Sequence, residues 1–195
     1  MPNLILASSS PRRKELLSMA DFLFEVIPSR IEEVMDPTLS PDKLVCSLAE
    51  QKARDVFESH PECVVLGADT IVVFGGQMLG KPKDREEAIA ILTMLSGQTH
   101  SVYTGNCIIS KDKISLFSDR TEVTFWPLTE KEILHYVNSG EPMDKAGGYG
   151  IQGRGATLVQ SINGDFYNVM GLPISKVVRE LESFGISAVS QRDIK

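Results

Sequence analysis

The chain has 195 residues and a formal net charge of -6 at pH 7. This acidic balance excludes a surface that attracts nucleic acid or an anionic membrane in bulk, so a bound polyanion would need a local basic pocket. Hydrophobic residues make up 42% of the chain. That fraction is enough for the core of one domain, or of one domain with two lobes around a cleft.

The cysteines and the N-terminus predict a cytoplasmic protein. The three cysteines have no C-x-x-C spacing and are odd in number, which disfavours a disulfide scaffold and fits a reducing compartment. The first residues lack the basic and long apolar regions of a signal peptide. No apolar run approaches the roughly 20 residues of a membrane span. Together with the net negative charge, this predicts that neither a membrane nor a nucleic acid is a partner.

Strands and capped helices are intermixed along the chain, which predicts an α/β class with a mixed sheet. In the first half, proline follows a serine N-cap at two predicted helix starts. The predicted elements there are a strand at 4–7, a helix from Pro11 capped by Ser10, a strand at 22–28, a helix from Pro41 to about residue 59, and a long strand at 63–74 ending in a Gly75-Gly76 hairpin.

The second half continues the same alternation and ends in a polar, frayed tail from about residue 187. Asp84 with Glu87, and Thr129 with Glu132, have the spacing of capping boxes. The predicted elements are a helix from Asp84 to Gly97, strands at 101–110 and 114–126, a helix from Thr129 to about Gly140, a glycine-dense loop at 144–155, a strand at 158–162 and a helix at 173–184.

A cluster of cations stands at the start of the first predicted helix. Arg12, Arg13 and Lys14 fall in the first turn, where the helix dipole disfavours positive charge by about 0.3–1 kcal/mol each. That placement is explained if an anion docks at the free N–H groups beside Ser8 and Ser10. The alternative is an ordinary solvated basic helix start.

Two charged residues lie where apolar ones are expected. Lys52 falls inside the apolar stripe of the second helix, so its side chain either extends past the stripe to water or meets an anion. Asp69 is the only charged residue between Cys63 and Phe74. A carboxylate in a central strand is costly unless it is paired or binds a metal, so Asp69 is either a satisfied structural residue or a functional one.

Two glycine patterns imitate nucleotide-binding motifs. Gly75-x-x-x-x-Gly80-Lys81 resembles a P-loop but continues with Pro82 instead of Ser or Thr, so we reject a P-loop and keep Lys81 as a candidate phosphate contact. The run from Gly148 to Gly153 matches a dinucleotide fingerprint, but it precedes a strand and lacks the strand–loop–helix context. Its glycines either admit a ligand close to the backbone or form a flexible loop.

The remaining chemistry favours a triphosphate bound with a divalent metal. His60, His100 and His135 have no metal-ligand spacing, and no nucleophile elbow of a serine hydrolase occurs. What is left is a set of cations, isolated carboxylates and glycine loops, which are the groups that bind a triphosphate and its metal ion.

Eight motifs in order resemble the Maf family, the septum-formation inhibitor-like nucleotide pyrophosphatases. The resemblance runs from Leu4 to about Leu181. Its motifs are Leu6-Ala7-Ser8-x-Ser10-Pro11-Arg12-Arg13, Glu33, Gln51-Lys52-Ala53, Gly67-Ala68-Asp69-Thr70, Gly80-Lys81-Pro82-x-Asp84, Leu95-Ser96-Gly97-x-x-His100-x-Val102, Asp144-Lys145-Ala146-Gly147-x-Tyr149-Gly150-Ile151-Gln152-Gly153 and Gly164-Asp165-x-Tyr167-x-Val169-x-Gly171-Leu172-Pro173.

The resemblance implies a fold and a reaction. The fold is a single two-lobed domain over residues 1–195, with a deep cleft and a relation to the inosine triphosphate pyrophosphatases. The reaction is hydrolysis of a nucleoside triphosphate to its monophosphate and pyrophosphate. Arg12, Thr70 and Gln152 match the subgroup that acts on dTTP and UTP, with modified pyrimidine nucleotides as further candidates in a house-cleaning role.

The resemblance also implies roles for single residues and a homodimer. Glu33 and Asp69 would hold Mg²⁺ or Mn²⁺, and together with Lys52 and Lys81 they would be catalytic. The substrate-binding residues would be Ser8, Ser10, Arg12, Arg13, Thr70, Lys145 and Gln152. Two alternatives stay open: a non-catalytic nucleotide sensor that regulates cell division through septum formation, and a dinucleotide-binding oxidoreductase that uses the glycine loop.

Overall fold

A computed structural model describes residues 3–189 of the chain. Along these residues seven strands and six α-helices follow one another. The strands are β1 (Leu4–Leu6), β2 (Glu25–Val26), β3 (Val64–Phe74), β4 (Gln77–Leu79), β5 (Thr99–Ile109), β6 (Ile114–Phe125) and β7 (Val159–Asn163), and the helices are α1 (Pro11–Met19), α2 (Pro41–Ser59), α3 (Arg85–Leu95), α4 (Glu130–Val137), α5 (Phe166–Met170) and α6 (Ile174–Ser183).

The strands form one mixed sheet in the order β2-β1-β3-β5-β6-β7, with β4 paired to the end of β3. β1 runs parallel to both β2 and β3, whereas β3–β4 and β6–β7 are antiparallel. The predicted α/β class with a mixed sheet is therefore confirmed. None of the helices within residues 3–189 has the length and apolar character that crossing a bilayer requires.

The chain divides into two compact units. Unit 1 holds residues 1–69, 104–119 and 171–195, and unit 2 holds residues 70–103 and 120–170. In unit 1, α2 packs on the sheet through a buried cluster of Ile5, Ala7, Ala49, Ala53, Val56, Val65, Cys107 and Ile109. In unit 2, a larger cluster joins α3 and α4 to the strands and includes Val72, Leu92, Leu95, Val102, Val123, Phe125, Tyr136 and Tyr149.

Local sequence explains most helix starts. Ser10 caps α1 with Pro11 in the first turn, and the capping box of Thr129 and Glu132 is complete at the start of α4. Asp84 caps α3 by accepting the Glu87 amide at 2.8 Å, while the Glu87 carboxylate accepts the amide of Lys83 instead of that of Asp84.

Several predicted boundaries were wrong. The strand at 22–28 shortens to Glu25–Val26, and the glycine-dense loop contains three short 3-10 turns, Glu141–Asp144, Ala146–Gly148 and Gly153–Thr157. The helix α5 was not predicted. The predicted frayed tail is wrong for residues 187–189, because Ala188 is buried and the Val189 amide donates to Asp21 O at 2.8 Å. The rest of that tail, residues 190–195, lies outside the described residues.

His100 is a buried histidine in the core of unit 2. It is 2% exposed, its Nε2 lies 2.7 Å from the hydroxyl of Tyr149, and its ring meets Phe125 and Tyr149 edge to face. Burial lowers the pKa of His100 from 6.5 to about 4. The folded state therefore binds fewer protons than the unfolded chain between about pH 4 and pH 6.5, so stability falls as the pH drops through this window.

We expect His100→Gln to remove part of this pH dependence. The wild-type free energy of unfolding should lose up to about 3 kcal/mol to His100 between pH 6.5 and pH 4, and the variant should lose correspondingly less. Urea unfolding across that range measures the slope. His135→Gln, the same change at an exposed position, should keep the wild-type slope; an equal slope in His100→Gln would contradict the assignment.

Candidate active site

Helix α2 lies unusually close to the sheet at two glycines of unit 1. A Cβ atom built on Gly67 of β3 would stand 2.4 Å from the Ala49 carbonyl oxygen and 2.9 Å from the Ala53 nitrogen. A Cβ on Gly105 of β5 would stand 2.2 Å from the carbonyl carbon of Val45. Only a hydrogen atom fits at either position, so these glycines set the separation between helix and sheet.

This close approach brings Lys52 onto Asp69. Asp69 follows Gly67 by two residues on β3 and so points to the same face of the sheet, towards α2. Lys52 follows Ala49 by three residues on α2 and shares its face. The Lys52 Nζ donates to Asp69 Oδ1 at 2.5 Å, and both side chains are 15% exposed. Lys52 thus meets an anion, and Asp69 is a paired carboxylate.

Glu33 joins the same ion pair from the loop between β2 and α2. Its Oε1 lies 3.0 Å from the Lys52 Nζ, and its side chain is 41% exposed. One ammonium therefore faces two carboxylates, which leaves an excess of negative charge at this point. The structure brings together three of the four residues that we predicted to be catalytic.

The donor set fits a magnesium or manganese ion held jointly with a substrate. Within residues 3–189 no group of three or more His, Cys, Asp or Glu side chains could enclose a metal. Mg²⁺ commonly binds proteins through one or two carboxylates and takes its other ligands from water and substrate phosphates. Glu33 and Asp69 supply hard oxygen atoms of that kind. The Lys52 ammonium, itself a cation, already lies between these two carboxylates.

Arg13 adds a buried positive charge to unit 1. Its side chain is 9% exposed, its Nε donates to Gly171 O at 2.7 Å and its Nη1 donates to Ser8 Oγ at 3.1 Å. Burial lowers the pKa of the guanidinium, while the charges of Asp69 and Glu33 raise it and that of Arg12 lowers it. Arginine keeps its charge despite such shifts, so Arg13 is a fixed cation within electrostatic range of both carboxylates.

The turn that precedes α1 is organised around the hydroxyl of Ser8. Ser8 is buried, and its Oγ accepts the Ser10 amide at 3.2 Å in addition to the Arg13 guanidinium. Ser10 is half-buried and accepts the Arg13 amide at 3.5 Å. Arg12 is also half-buried. Of the three cations in this turn, Arg13 is therefore directed into the fold.

In unit 2, the segment with Lys81 contacts the glycine-dense loop. The Gly147 amide donates to Gly80 O at 2.9 Å, directly before Lys81, which is exposed. In the same loop the Lys145 Nζ donates to Glu141 O and to Asp144 Oδ1, both at 2.6 Å. Two of the three N–H donors of the Lys145 ammonium therefore bind acceptors of the turn Glu141–Asp144.

The other two predicted residues of unit 2 differ in their exposure. Thr70, the first residue of unit 2, is half-buried, and Gln152 is exposed.

The glycine-dense loop is closely packed in the structure. This differs from a flexible loop, which was one of the two interpretations of its glycines. Gly147 has a φ of 70°, and a Cβ there would stand 2.9 Å from the Val72 side chain. The Gly150 amide donates to the Tyr136 hydroxyl at 3.0 Å, and a Cβ on Gly155 would stand 2.0 Å from Gly150 O. These glycines allow the loop to pack closely on β3, on α4 and on itself.

A sequence profile of the family described as "Maf-like protein" matches residues 3–184. The chain belongs to the Maf-like protein family. Among its relatives, the "dTTP/UTP pyrophosphatase" of Bacillus mycoides is 58% identical over 184 residues, which cover 94% of this chain and 96% of the relative. The protein of the same name from Bacillus cytotoxicus is 56% identical over 188 residues, with coverages of 96% and 98%.

A solved structure, the Ham1 protein of Staphylococcus aureus, has a TM-score of 0.41 and 14% identity. It covers 63% of this chain and 71% of its own.

Two kinds of residue in this Maf-like chain escaped the sequence analysis. Gly67 lies within a motif and Gly105 outside the motifs, but the contact of both with α2 is tertiary and leaves no local pattern. Gln51 precedes Lys52 in its motif and no role was predicted for it, although its side chain contacts the loop that carries Glu33. The sequence did offer one indication of a role for Gln51, namely that it is a polar residue directly before the motif lysine Lys52.

We expect Gly67→Ala to disturb both the fold and the ion pair of this Maf-like chain. The added methyl group meets backbone atoms of α2, so the helix must move away and carry Lys52 from Asp69. Overpacking of this kind costs about 1–3 kcal/mol, which urea unfolding measures. Gly80→Ala, whose methyl group meets no atom within 4 Å, is the matched control. Equal stability of the two variants would refute the contact.

Proposed function

We propose that this chain hydrolyses dTTP and UTP to the nucleoside monophosphate and pyrophosphate. Its relatives at 56–58% identity carry the name dTTP/UTP pyrophosphatase. The observation that carries the proposal is the cluster in which Lys52 lies 2.5 Å from Asp69 and 3.0 Å from Glu33. It joins a cation to two carboxylates of the kind that hold a divalent ion.

Glu33 and Asp69 would hold the divalent ion, Mg²⁺ or Mn²⁺. Such an ion supplies electrostatic stabilisation of the negative charge that develops on the phosphate oxygens. The two carboxylates contribute in different ways. Asp69 is fixed on a central strand, while Glu33 would reach the ion from the loop between β2 and α2.

Asp69 is also the proposed general base. Lys52 contacts its Oδ1, and Oδ2 would accept a proton from the attacking water. The water oxygen forms a bond to the α-phosphorus while the bond from that phosphorus to the bridging oxygen breaks. Pyrophosphate leaves with the bridging oxygen, and the monophosphate keeps the oxygen of the water.

The basic residues would stabilise the transition state. Preorganised cations contribute most where charge develops in a reaction, and Arg13 is already fixed by two hydrogen bonds. Ser8 and Ser10 would contact phosphate oxygens through the turn before α1. The roles of Arg12, Lys81 and Lys145 as phosphate contacts rest on their motifs.

Selection of the pyrimidine base is assigned to Arg12, Thr70 and Gln152, again by their motifs. A glutamine carboxamide has a donor and an acceptor and so matches the edge of uracil or thymine. Gln152 is exposed, which leaves its side chain accessible to a ligand.

We further propose a cytoplasmic, homodimeric enzyme that removes unwanted pyrimidine nucleotides, modified ones included. The rival is a nucleotide sensor that regulates septum formation without turnover. The names of the relatives favour the enzyme. A sensor would bind the nucleotide without needing the pair of carboxylates at Lys52.

We expect Asp69→Asn to lower the turnover of dTTP and UTP by about 10³-fold, since a general base contributes roughly 10²–10⁴-fold. Turnover is measured with Mg²⁺ or Mn²⁺ by chromatography of the monophosphate. Asp112→Asn, the same change on the exposed turn between β5 and β6, is the matched control. Wild-type rates in Asp69→Asn would refute the assignment, and binding without turnover by the wild type would favour the sensor.

A further inference from the structure

The loop that carries Glu33 has little structure of its own. We call residues 27–40, between β2 and α2, the Glu33 loop. It contains no helix or strand, and each of residues 31–38 is exposed. A carboxylate on such a loop would lose conformational entropy on binding a cation, unless other contacts already hold the loop in place.

Gln51 provides those contacts on the C-terminal side of Glu33. Its Oε1 accepts the Val34 amide at 2.9 Å, and its Nε2 donates to the Val34 carbonyl oxygen at 2.9 Å. Both polar groups of one carboxamide therefore bind both polar backbone groups of one residue. Two such bonds fix the position and the orientation of the backbone directly after Glu33.

Helix α2 holds the other end of the loop as well. One turn beyond Gln51, the Asp55 Oδ2 accepts the Arg30 amide at 3.0 Å. One turn before it, Gln51 Nε2 also donates to the Ser47 hydroxyl, at the longer distance of 3.4 Å. Lys52, which pairs with Glu33, is the next residue of the same helix. The loop is thus placed by the helix that Gly67 fixes on β3.

We propose that Gln51 is a positioning residue that prepares Glu33 to bind the divalent ion, an inference that rests on the proposed function. The carboxamide holds the backbone at Val34, and the backbone places the Glu33 carboxylate beside Lys52 and Asp69. Loss of these two hydrogen bonds releases Glu33 but leaves Asp69 on its strand. The affinity for the ion therefore falls while proton transfer at Asp69 continues.

The test compares Gln51→Leu with Ser47→Ala. Leucine has a similar size and makes neither bond to Val34. Ser47→Ala removes a contact of Gln51 and leaves both bonds to the loop. Gln51→Glu is a second variant that keeps the acceptor for the Val34 amide and loses the donor to its carbonyl oxygen.

Three measurements decide the outcome. Hydrogen exchange by NMR reports the protection of the Val34 amide in the protein without nucleotide. Electron paramagnetic resonance measures Mn²⁺ binding with a non-hydrolysable α,β-imido analogue of dUTP. Steady-state turnover of dTTP at varied Mn²⁺ gives the half-activating concentration and kcat.

In Gln51→Leu we expect faster exchange at Val34 and Mn²⁺ binding weaker by about 10-fold or more, as for other residues that orient metal ligands. The half-activating Mn²⁺ concentration should rise in proportion, with kcat at saturating Mn²⁺ within about threefold of wild type. Gln51→Glu, which keeps the acceptor for the Val34 amide, should retain more protection at Val34 than Gln51→Leu. Ser47→Ala should match wild type throughout.

Two results would overturn the proposal. One is unchanged Mn²⁺ binding in Gln51→Leu, and the other is a fall in kcat at saturating Mn²⁺ well beyond about threefold. Failure of the proposed function is distinguishable, because it would show as absence of dTTP turnover by the wild type. Exchange at Val34 would still report whether Gln51 holds the loop.

Discussion

The contact of α2 with β3 at Gly67 is the constraint on which the candidate site depends. The backbone of the helix lies where a side chain on the strand would otherwise stand. Because residues two apart on a strand, and three apart on a helix, share a face, this contact leads directly to the pairing of Lys52 with Asp69.

The charged side chains near this contact suit a ligand that carries both positive and negative charge. Lys52 faces two carboxylates, and the buried Arg13 guanidinium lies within their electrostatic influence while its donors bind Gly171 and Ser8. Glu33 is the exposed member of the group. A divalent ion with a triphosphate brings both signs of charge, so it can bind the carboxylates and the cations at once.

Sequence patterns predicted the parts of the fold that local chemistry decides. The caps at Ser10 and Thr129 and the long strands β3, β5 and β6 were recognisable, as were Lys52 and Asp69, each a lone charge at an apolar position. The predicted length of β2 was too great, because β2 pairs only with the short strand β1, which has three residues.

Tertiary contacts decided the features that the sequence did not reveal. Helix α5 is held by Asn168, whose side-chain amide donates to Val102 O and to Thr121. The partners of Glu33 and the role of Gln51 depend on how a loop without regular structure meets a distant helix, which no periodicity encodes.

Hydrolysis in water enriched in oxygen-18 tests the central claim most directly. If Asp69 activates a water that attacks the α-phosphorus, mass spectrometry should find one labelled oxygen in the monophosphate from dTTP or UTP and none in the pyrophosphate. Label in the pyrophosphate would show attack at the β-phosphorus, and release of orthophosphate with a diphosphate would place the cleavage elsewhere. Either result would contradict the account.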